Sequence, residues 1–310
     1  MKAGIMTFHA ADNYGAVLQA RALSQVLRGM GHEACVIDYA PAYLTEPYRL
    51  WKKDWWKHPV GIVKNICNSP AAAARARGFA EFRREMPLMA YPPEGLDAVF
   101  FGSDQIWNRA LTGADPLWFA DAPAFDKTRN IVYGASSGST PIPEGIDFGR
   151  FHRISVREPQ LQEELKGRGV KSTLVLDPVL LAGKEIMAGM AAPCSVDGDF
   201  VFTYEALDDA NVRAQARETG LPVVSVARSI RCEGGKRFTP GEFIALVMNA
   251  HSVVSNSFHA IALAILFGKK YSFIPSGSGK DERVRNIISI AENLDALRKE
   301  SLQFIEESLL

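Results

Sequence analysis

Short apolar runs alternate along this chain with segments whose apolar residues recur at helical spacing. Residues 3–8 (AGIMTF) form a run suited to a buried parallel strand. After the turn HAADNYG, residues Ala16, Val17, Ala20, Leu23, Val26 and Leu27 recur on one helical face. Asp12 or Asn13 stands where a helix cap belongs, and Gly29 and Gly31 stand where the helix should end. A second buried strand, ACVIDY (34–39), completes a βαβ opening and predicts a right-handed parallel sheet. The sheet resumes at DAVFFG (97–102), NIVYGAS (130–136), RISVRE (153–158) and STLVLDP (172–178).

Residues 41–93 interrupt this alternation. They hold seven prolines, the aromatic and cationic stretch WKKDWWKHP, and an Ala/Arg helix near 71–86, and they read as an insertion at a cleft rim. Residues 183–198, rich in Ala, Gly and Met and weakly periodic, read as a linker. Beyond it the alternation starts afresh. Strands at 200–205, 222–227, 252–256 and 271–274 are separated by helices at 208–219, 240–250 and 257–267, and a last helical stretch begins near 282. The expected architecture is α/β: two Rossmann-like doubly wound parallel-sheet domains, 1–182 and 199–310, with a cleft between them. Chemistry should then lie on the loops that follow strands.

Composition narrows the function classes. Thirty-five basic residues balance thirty-five acidic ones, which argues against nucleic-acid binding. The four cysteines are far apart and form no Cys/His cluster, so no metal site and a reducing compartment are expected. The first fifteen residues lack the pattern of a signal peptide, and no apolar run reaches the roughly 18 to 20 residues that span a bilayer; the expectation is a cytoplasmic protein.

Four segments after predicted strands carry candidate chemistry. In the first turn, Gly15 is the only glycine, where a dinucleotide site would place GxGxxG; NAD and FAD are disfavoured. Asn13, Tyr14 and Gly15 are either a capped turn or one lining of the cleft. In FGSDQIWN, Ser103, Asp104 and Gln105 can bond hydroxyls and Trp107 can stack on a sugar, unless the segment is a local turn over a core tryptophan. Arg157 and Glu158 end an apolar strand. A buried arginine there needs an anionic partner, either a ligand or an internal carboxylate. Finally, Ser255, Asn256 and Ser257 cap an apolar helix whose first turn holds His259, a suitable place to bind an anion and move a proton.

Read together, TFHxxxNYGAVLQAxAL, GSDQIWN, SVRE, LDPxLL and NSFHAxxxxxxF occur in an order and at spacings similar to those of the polysaccharide pyruvyl transferase family, from residue 4 to about 290. The chain departs from the family's commoner pattern at Ala260 and at Gly268-Lys269-Lys270. The resemblance implies a GT-B-like pair of domains that moves the enolpyruvyl unit of phosphoenolpyruvate onto two hydroxyls of a glycan sugar, with no metal or organic cofactor. It assigns His259 as the acid, Arg157 as a fork for the donor anion and Glu158 as an orienting group or base. Asn256, Ser257 and a basic residue among Lys280, Arg283 and Arg285 would hold the donor, with Arg283 favoured. Asn13, Tyr14, Gly15, Ser103, Asp104, Gln105 and Trp107 would face the acceptor. A nucleotide-sugar glycosyltransferase, with RCEGGKRF (231–238) as its diphosphate site, and a non-catalytic glycan-binding relative are the alternatives. Trp51, Trp55 and Trp56 share a helical face beside Lys52, so segment 51–58 is either a small core or a contact for an anionic membrane bearing a lipid-linked acceptor.

Overall fold

A computed structural model of the chain describes residues 1–48, 59–138, 140–204, 210–226, 238–277 and 280–310; the side chains of 59–69, 71, 72 and 280 lie outside that description. The proposed membrane contact at 51–58 and the proposed diphosphate segment at 231–238 therefore fall almost wholly outside the described residues.

The first sheet has seven strands: β1 (Lys2–Met6), β2 (Glu33–Asp38), β3 (Leu88–Ala90), β4 (Ala98–Phe101), β5 (Arg129–Ala135), β6 (Arg153–Val156) and β7 (Thr173–Leu174). Their order is β3-β2-β1-β4-β5-β6-β7, every neighbouring pair is parallel, and the direction of winding reverses between β1 and β4. The second sheet holds β8 (Val201–Tyr204), β9 (Val223–Val226), β10 (Ser252–Ser255) and β11 (Lys270–Phe273), in the order β11-β10-β8-β9 and also all parallel. Its winding reverses between β8 and β10. Two doubly wound parallel sheets are what the alternation predicted.

The helices, in chain order, are α1 (Tyr14–Gly29), α2 (Ala42–Thr45), α3 (Pro59–Arg84), α4 (Arg109–Thr112), α5 (Pro159–Gly167), α6 (Pro178–Gly189), α7 (Ala210–Thr219), α8 (Pro240–Asn249), α9 (Phe258–Leu266), α10 (Lys280–Ser289) and α11 (Leu294–Leu309). One buried apolar cluster runs from Ile5 on β1 through Val17 and Leu23 of α1 and Val179 and Met187 of α6. It continues to Ile244 of α8, Ile261 of α9 and Phe202 of β8. The two sheets thus share a core in which α1 meets α6, α8 and α9.

Three boundaries differ from the sequence reading. Segment 41–93 is not only an insertion: α3 is the crossover between β2 and β3, and β3 pairs with β2 at the sheet edge. The helix is longer than the stretch near 71–86 because Pro70 lies inside it, where a proline ordinarily argues for a break. Residues 183–189 belong to α6, which turns at Gly183 (φ 79°) and then continues, so the irregular connection is confined to the residues after it.

The range 199–310 also contains an element that returns to the first domain. Helix α11 lays Phe304 beside Tyr133 of β5, and Arg153 of β6 bonds Glu307 at 2.8 Å. Ser301 Oγ accepts from the backbone N–H of Leu176 at 2.9 Å and donates to Leu297 O at 2.7 Å, while Arg298 Nε donates to Leu181 O at 2.7 Å. Ser301→Ala should leave the Leu176 N–H buried without a partner, an expected loss of about 1–3 kcal/mol that a urea titration measures as a lower midpoint at unchanged slope.

Candidate functional site

Both winding reversals open onto one cleft. The loop after β1 and the loop after β4 diverge on the first sheet, and the carboxyl ends of β8 and β10 lie side by side on the second. Between them lies a cavity of about 530 Å³ lined by, among others, Asn13, Gly15, Asp104, Gln105, Asn256, Ser257, His259 and Arg283.

Two helices aim their N-termini into it. Asn13 caps α1, its Oδ1 accepting from Ala16 N at 3.2 Å, and Gln19 braces the turn by donating to Thr7 Oγ1 at 2.7 Å. Ser257 is the cap residue of α9. The preceding Ser255 is fully buried; its hydroxyl donates to Tyr204 O at 2.8 Å and accepts from Ser257 N at 3.0 Å, which fixes the bend from β10 into α9. His259 sits in the first turn of α9 against the first turn of α1, so closely that a Cβ at Gly15 would collide with its ring. Glycine is required there for contact between the domains rather than for backbone freedom.

Beneath the cavity lies a buried ion cluster. Arg157 bonds Asp177 and approaches Glu158 at 3.3 Å, Asp104 at 3.4 Å and the hydroxyl of Ser103 at 3.4 Å, and its side chain is 2% exposed. Burial alone would lower its pKa, but the carboxylates of Asp177, Glu158 and Asp104 outweigh burial and hold the guanidinium charged more firmly than usual. Asp177 is the residue the sequence reading missed. Its Oδ1 caps α6 by accepting from Val179 N at 2.9 Å, and its Oδ2 bonds Arg157 and lies 3.9 Å from His259 Nε2. The signal was present in LDPxLL: an aspartate directly before proline at a helix start after an apolar run.

Two groups in the cavity contrast with this satisfied cluster. His259 Nε2 is buried without a hydrogen-bond partner, and so is Nε of Arg283. Burial lowers the His259 pKa; Asp177 and Asp104 oppose that, while Arg157 and Arg283 reinforce it, and the net is a depressed value. Burial and the like charge of Arg157 also depress Arg283. Phe258 separates the two arginines, its ring centroid 5.0 Å from Arg157 Cζ and 5.9 Å from Arg283 Cζ. Glu158 is pushed up by burial, against the pull of Arg157, Arg283 and a hydrogen bond with Ser136. It lines not this cavity but a second one beside it, shared with Arg283, Gln160 and Glu282.

Arg157 and His259, which follow strands in different domains, are brought together around Asp177, with His259 in the cavity and Arg157 beneath it. Four expectations need correction. Trp107 is 0% exposed, donates Nε1–H to Trp118 O at 3.2 Å and stacks on Phe119, so it is core and presents no face to a sugar. Ser103 is equally buried, its hydroxyl donating to Gly134 O at 2.9 Å. Arg157 has internal carboxylates as partners and does not line the cavity. Tyr14 lines it, but its hydroxyl donates to Phe238 O at 2.6 Å and its ring stacks on Phe243. Asp104, in a left-handed backbone conformation (φ 76°), reaches both the cavity and Arg157. Of the three basic residues weighed for the donor, Arg283 lines the cavity and Arg285 is exposed against Phe273. Lys280 opens α10, its side chain outside the described residues. Among the described residues no cluster of three or more His, Cys, Asp or Glu could hold a metal ion, and no helix is long and apolar enough to cross a membrane.

In sequence, none of the functionally curated proteins matches the chain. Its fold is similar to that of a Listeria monocytogenes protein described as a UDP-N-acetylglucosamine 2-epimerase, at 13% identity over 99% of this chain and 89% of that one, with a TM-score of 0.53. A UDP-N-acetylglucosamine 2-epimerase of Rickettsia bellii aligns over 100% and 97% at 10% identity and a TM-score of 0.49. The Escherichia coli heptosyltransferase WaaC aligns over 94% and 99%, also at 10% identity, with a TM-score of 0.41. The first of these likenesses supports the GT-B-like pairing of two Rossmann-like domains and bears on fold alone. The family of polysaccharide pyruvyl transferases matches residues 13–274, a span that includes both helix N-termini, the ion cluster and His259, and the chain belongs to that family of transferases.

Proposed function

We propose that the chain uses phosphoenolpyruvate to form a pyruvate ketal on two hydroxyls of a glycan sugar. The observation that carries this reading is a buried imidazole Nε2 and a buried guanidinium Nε, both without a hydrogen-bond partner, in a cavity lined by the N-termini of two helices. A small, highly charged anion satisfies all of these groups at once. Arg283 takes the role of donor fork that the resemblance gave to Arg157, because Arg157 is already neutralised. Arg157 instead holds the Asp177 carboxylate facing His259, and Glu158 orients Arg157.

In this mechanism the anion brings negative charge to His259 and the imidazole takes up a proton. The imidazolium delivers it to the methylene carbon C3 of phosphoenolpyruvate, leaving an oxocarbenium-like centre at C2. One sugar hydroxyl adds to C2, the C2–O bond to phosphate breaks, and the second hydroxyl closes the ketal. Of the two hydroxyl protons, one replaces that delivered to C3 and the other leaves with phosphate. No metal or organic cofactor enters these steps. In this reading Asn256 and Ser257 bond the donor, and Asn13 and Gln105, which line the same cavity, bond acceptor hydroxyls.

Mass spectrometry of glycan acceptors incubated with phosphoenolpyruvate and the protein should show a gain of one pyruvate ketal with stoichiometric phosphate. His259→Gln should abolish this turnover while retaining donor binding. Phosphate release from wild type without a pyruvylated product on any acceptor would count against ketal formation.

The depressed His259 pKa gives a signed expectation for binding. In the free protein the imidazole is neutral near pH 7, and a bound anion raises its pKa, so binding must draw protons from solution. Calorimetry in two buffers of different ionisation enthalpy should show net proton uptake in wild type and less in His259→Gln. Equal uptake in both would remove His259 from the step.

Gly15→Ala separates geometry from folding. Alanine favours the α1 helix, yet its methyl group displaces the His259 ring. The expected result is a kcat lower by about 100-fold, with the circular dichroism of the folded protein unchanged.

A further inference from the structure

The cavity has a second face that the donor chemistry does not use. Residues Tyr43, Leu44, Pro47 and Tyr48, from α2 and the turn after it, line it together with Leu111 of α4. None of these side chains carries a charge, and Leu111 is a large apolar residue left 47% exposed. An exposed leucine alone needs no explanation, but here it belongs to a contiguous apolar wall inside a cleft.

Tyr43 packs against the first-domain core and is fixed at its hydroxyl. Its hydroxyl donates to Asp115 Oδ2 at 2.5 Å and accepts from Trp118 Nε1 at 2.8 Å, and Tyr39 donates to the same carboxylate oxygen at 2.6 Å. Burial and the Asp115 carboxylate push the Tyr39 phenol up to about 12 and Tyr43 higher still, so both remain neutral donors at any physiological pH. Asp115 in turn caps the following turn through Leu117 N at 3.0 Å. The phenol is thus occupied at its polar end while its half-buried ring borders the cavity. A ring fixed before a ligand arrives loses little freedom on binding.

We infer that this wall is the acceptor subsite, with Tyr43 as the platform on which one C–H face of a pyranose ring stacks. Gln105, at the same cavity, offers an amide to the ring's hydroxyls. This rests on the glycan-modifying reading above and deepens it. It moves the stacking residue from Trp107, which is core, to the segment between β2 and α3, and it places the sugar against the first domain while Arg283 of the second holds the anion. An alternative occupant such as a lipid chain would use the apolar side chains but would gain nothing from a phenol locked in one plane.

Saturation-transfer NMR with methyl β-D-glucopyranoside, methyl β-D-galactopyranoside and methyl α-D-mannopyranoside, without phosphoenolpyruvate, tests the inference. At least one glycoside should receive saturation mainly on the C–H bonds of one ring face. Tyr43→Leu, apolar but without a ring, should weaken that binding by about tenfold, while Tyr43→Phe retains it within about threefold. The calorimetric affinity for phosphoenolpyruvate should be the same in all three proteins. Even saturation of both faces, no transfer from any of the glycosides, or equal binding by Tyr43→Leu would overturn the inference. Those outcomes leave proton uptake on donor binding untouched, so the subsite and the ketal reaction fail separately.

Discussion

The structure of the site depends on one buried cation. Arg157 sits at the end of β6 with its guanidinium out of water, and the cost of burying an unpaired charge there would be several kcal/mol. Its partners come from three separate places: Asp104 from the loop after β4, Glu158 from the start of α5 and Asp177 from the cap of α6. Each carboxylate takes a different part of the guanidinium, so the three loops are bound to one another through it. Phe258 of the second domain covers the cluster, which carries the same constraint across the cleft. The ion cluster is therefore a joint between three loops and two domains before it is anything chemical.

That distinction decides which charged residues are available to a ligand. Arg157 and Arg283 both lie near Phe258, and both are buried, yet one is saturated with carboxylates and the other keeps an unpartnered Nε. A buried donor without a partner costs free energy in the empty protein, and an incoming anion recovers it. The same reasoning applies to His259 Nε2, which lies near Asp177 but beyond hydrogen-bond distance. Asp177 is spent on Arg157 and on the α6 cap, so it influences the imidazole by charge and not by a direct bond. The site holds its own structure with one set of ions and leaves another set unsatisfied for a substrate.

How much of this was legible in the chain follows from the range of the forces involved. The two parallel sheets, the cleft and the placing of Arg157 and His259 after strands of different domains were readable, because apolar periodicity and strand ends are local properties. Trp107 was misplaced because a buried tryptophan and a sugar platform have the same sequence context, an aromatic residue after a strand; the stacking on Phe119 decides between them and is a long-range fact. Arg157 raised the same ambiguity, and the internal carboxylates decided it. Segment 41–93 hid its crossover because Pro70 lies within α3, and the packing of α11 on the first domain was not legible because amphipathic period says that a helix packs and not on what. Tyr43 could not be singled out at all: its importance comes from Asp115 and Trp118, more than seventy residues away in the chain.

The shared apolar core constrains how substrates reach the site. Domains joined by a polar contact are expected to open and close, but here Ile5, Val17, Val179, Ile244 and Ile261 belong to one buried cluster. Separating the sheets would expose that cluster and would also pull α11 from Tyr133 and Leu176. Close contact between Gly15 and His259 needs the same closed arrangement. The helix N-termini, the unpartnered imidazole and Arg283 are thus held in place in the absence of any ligand, and little reorganisation remains when one binds. Selectivity must then come from the shape and polarity of the cavity mouth. Tyr43, Leu44 and Leu111 border it on the first-domain side, Arg283 and the N-terminus of α9 border it on the second, and the N-terminus of α1 faces that of α9, so the two ends of the cleft differ in polarity.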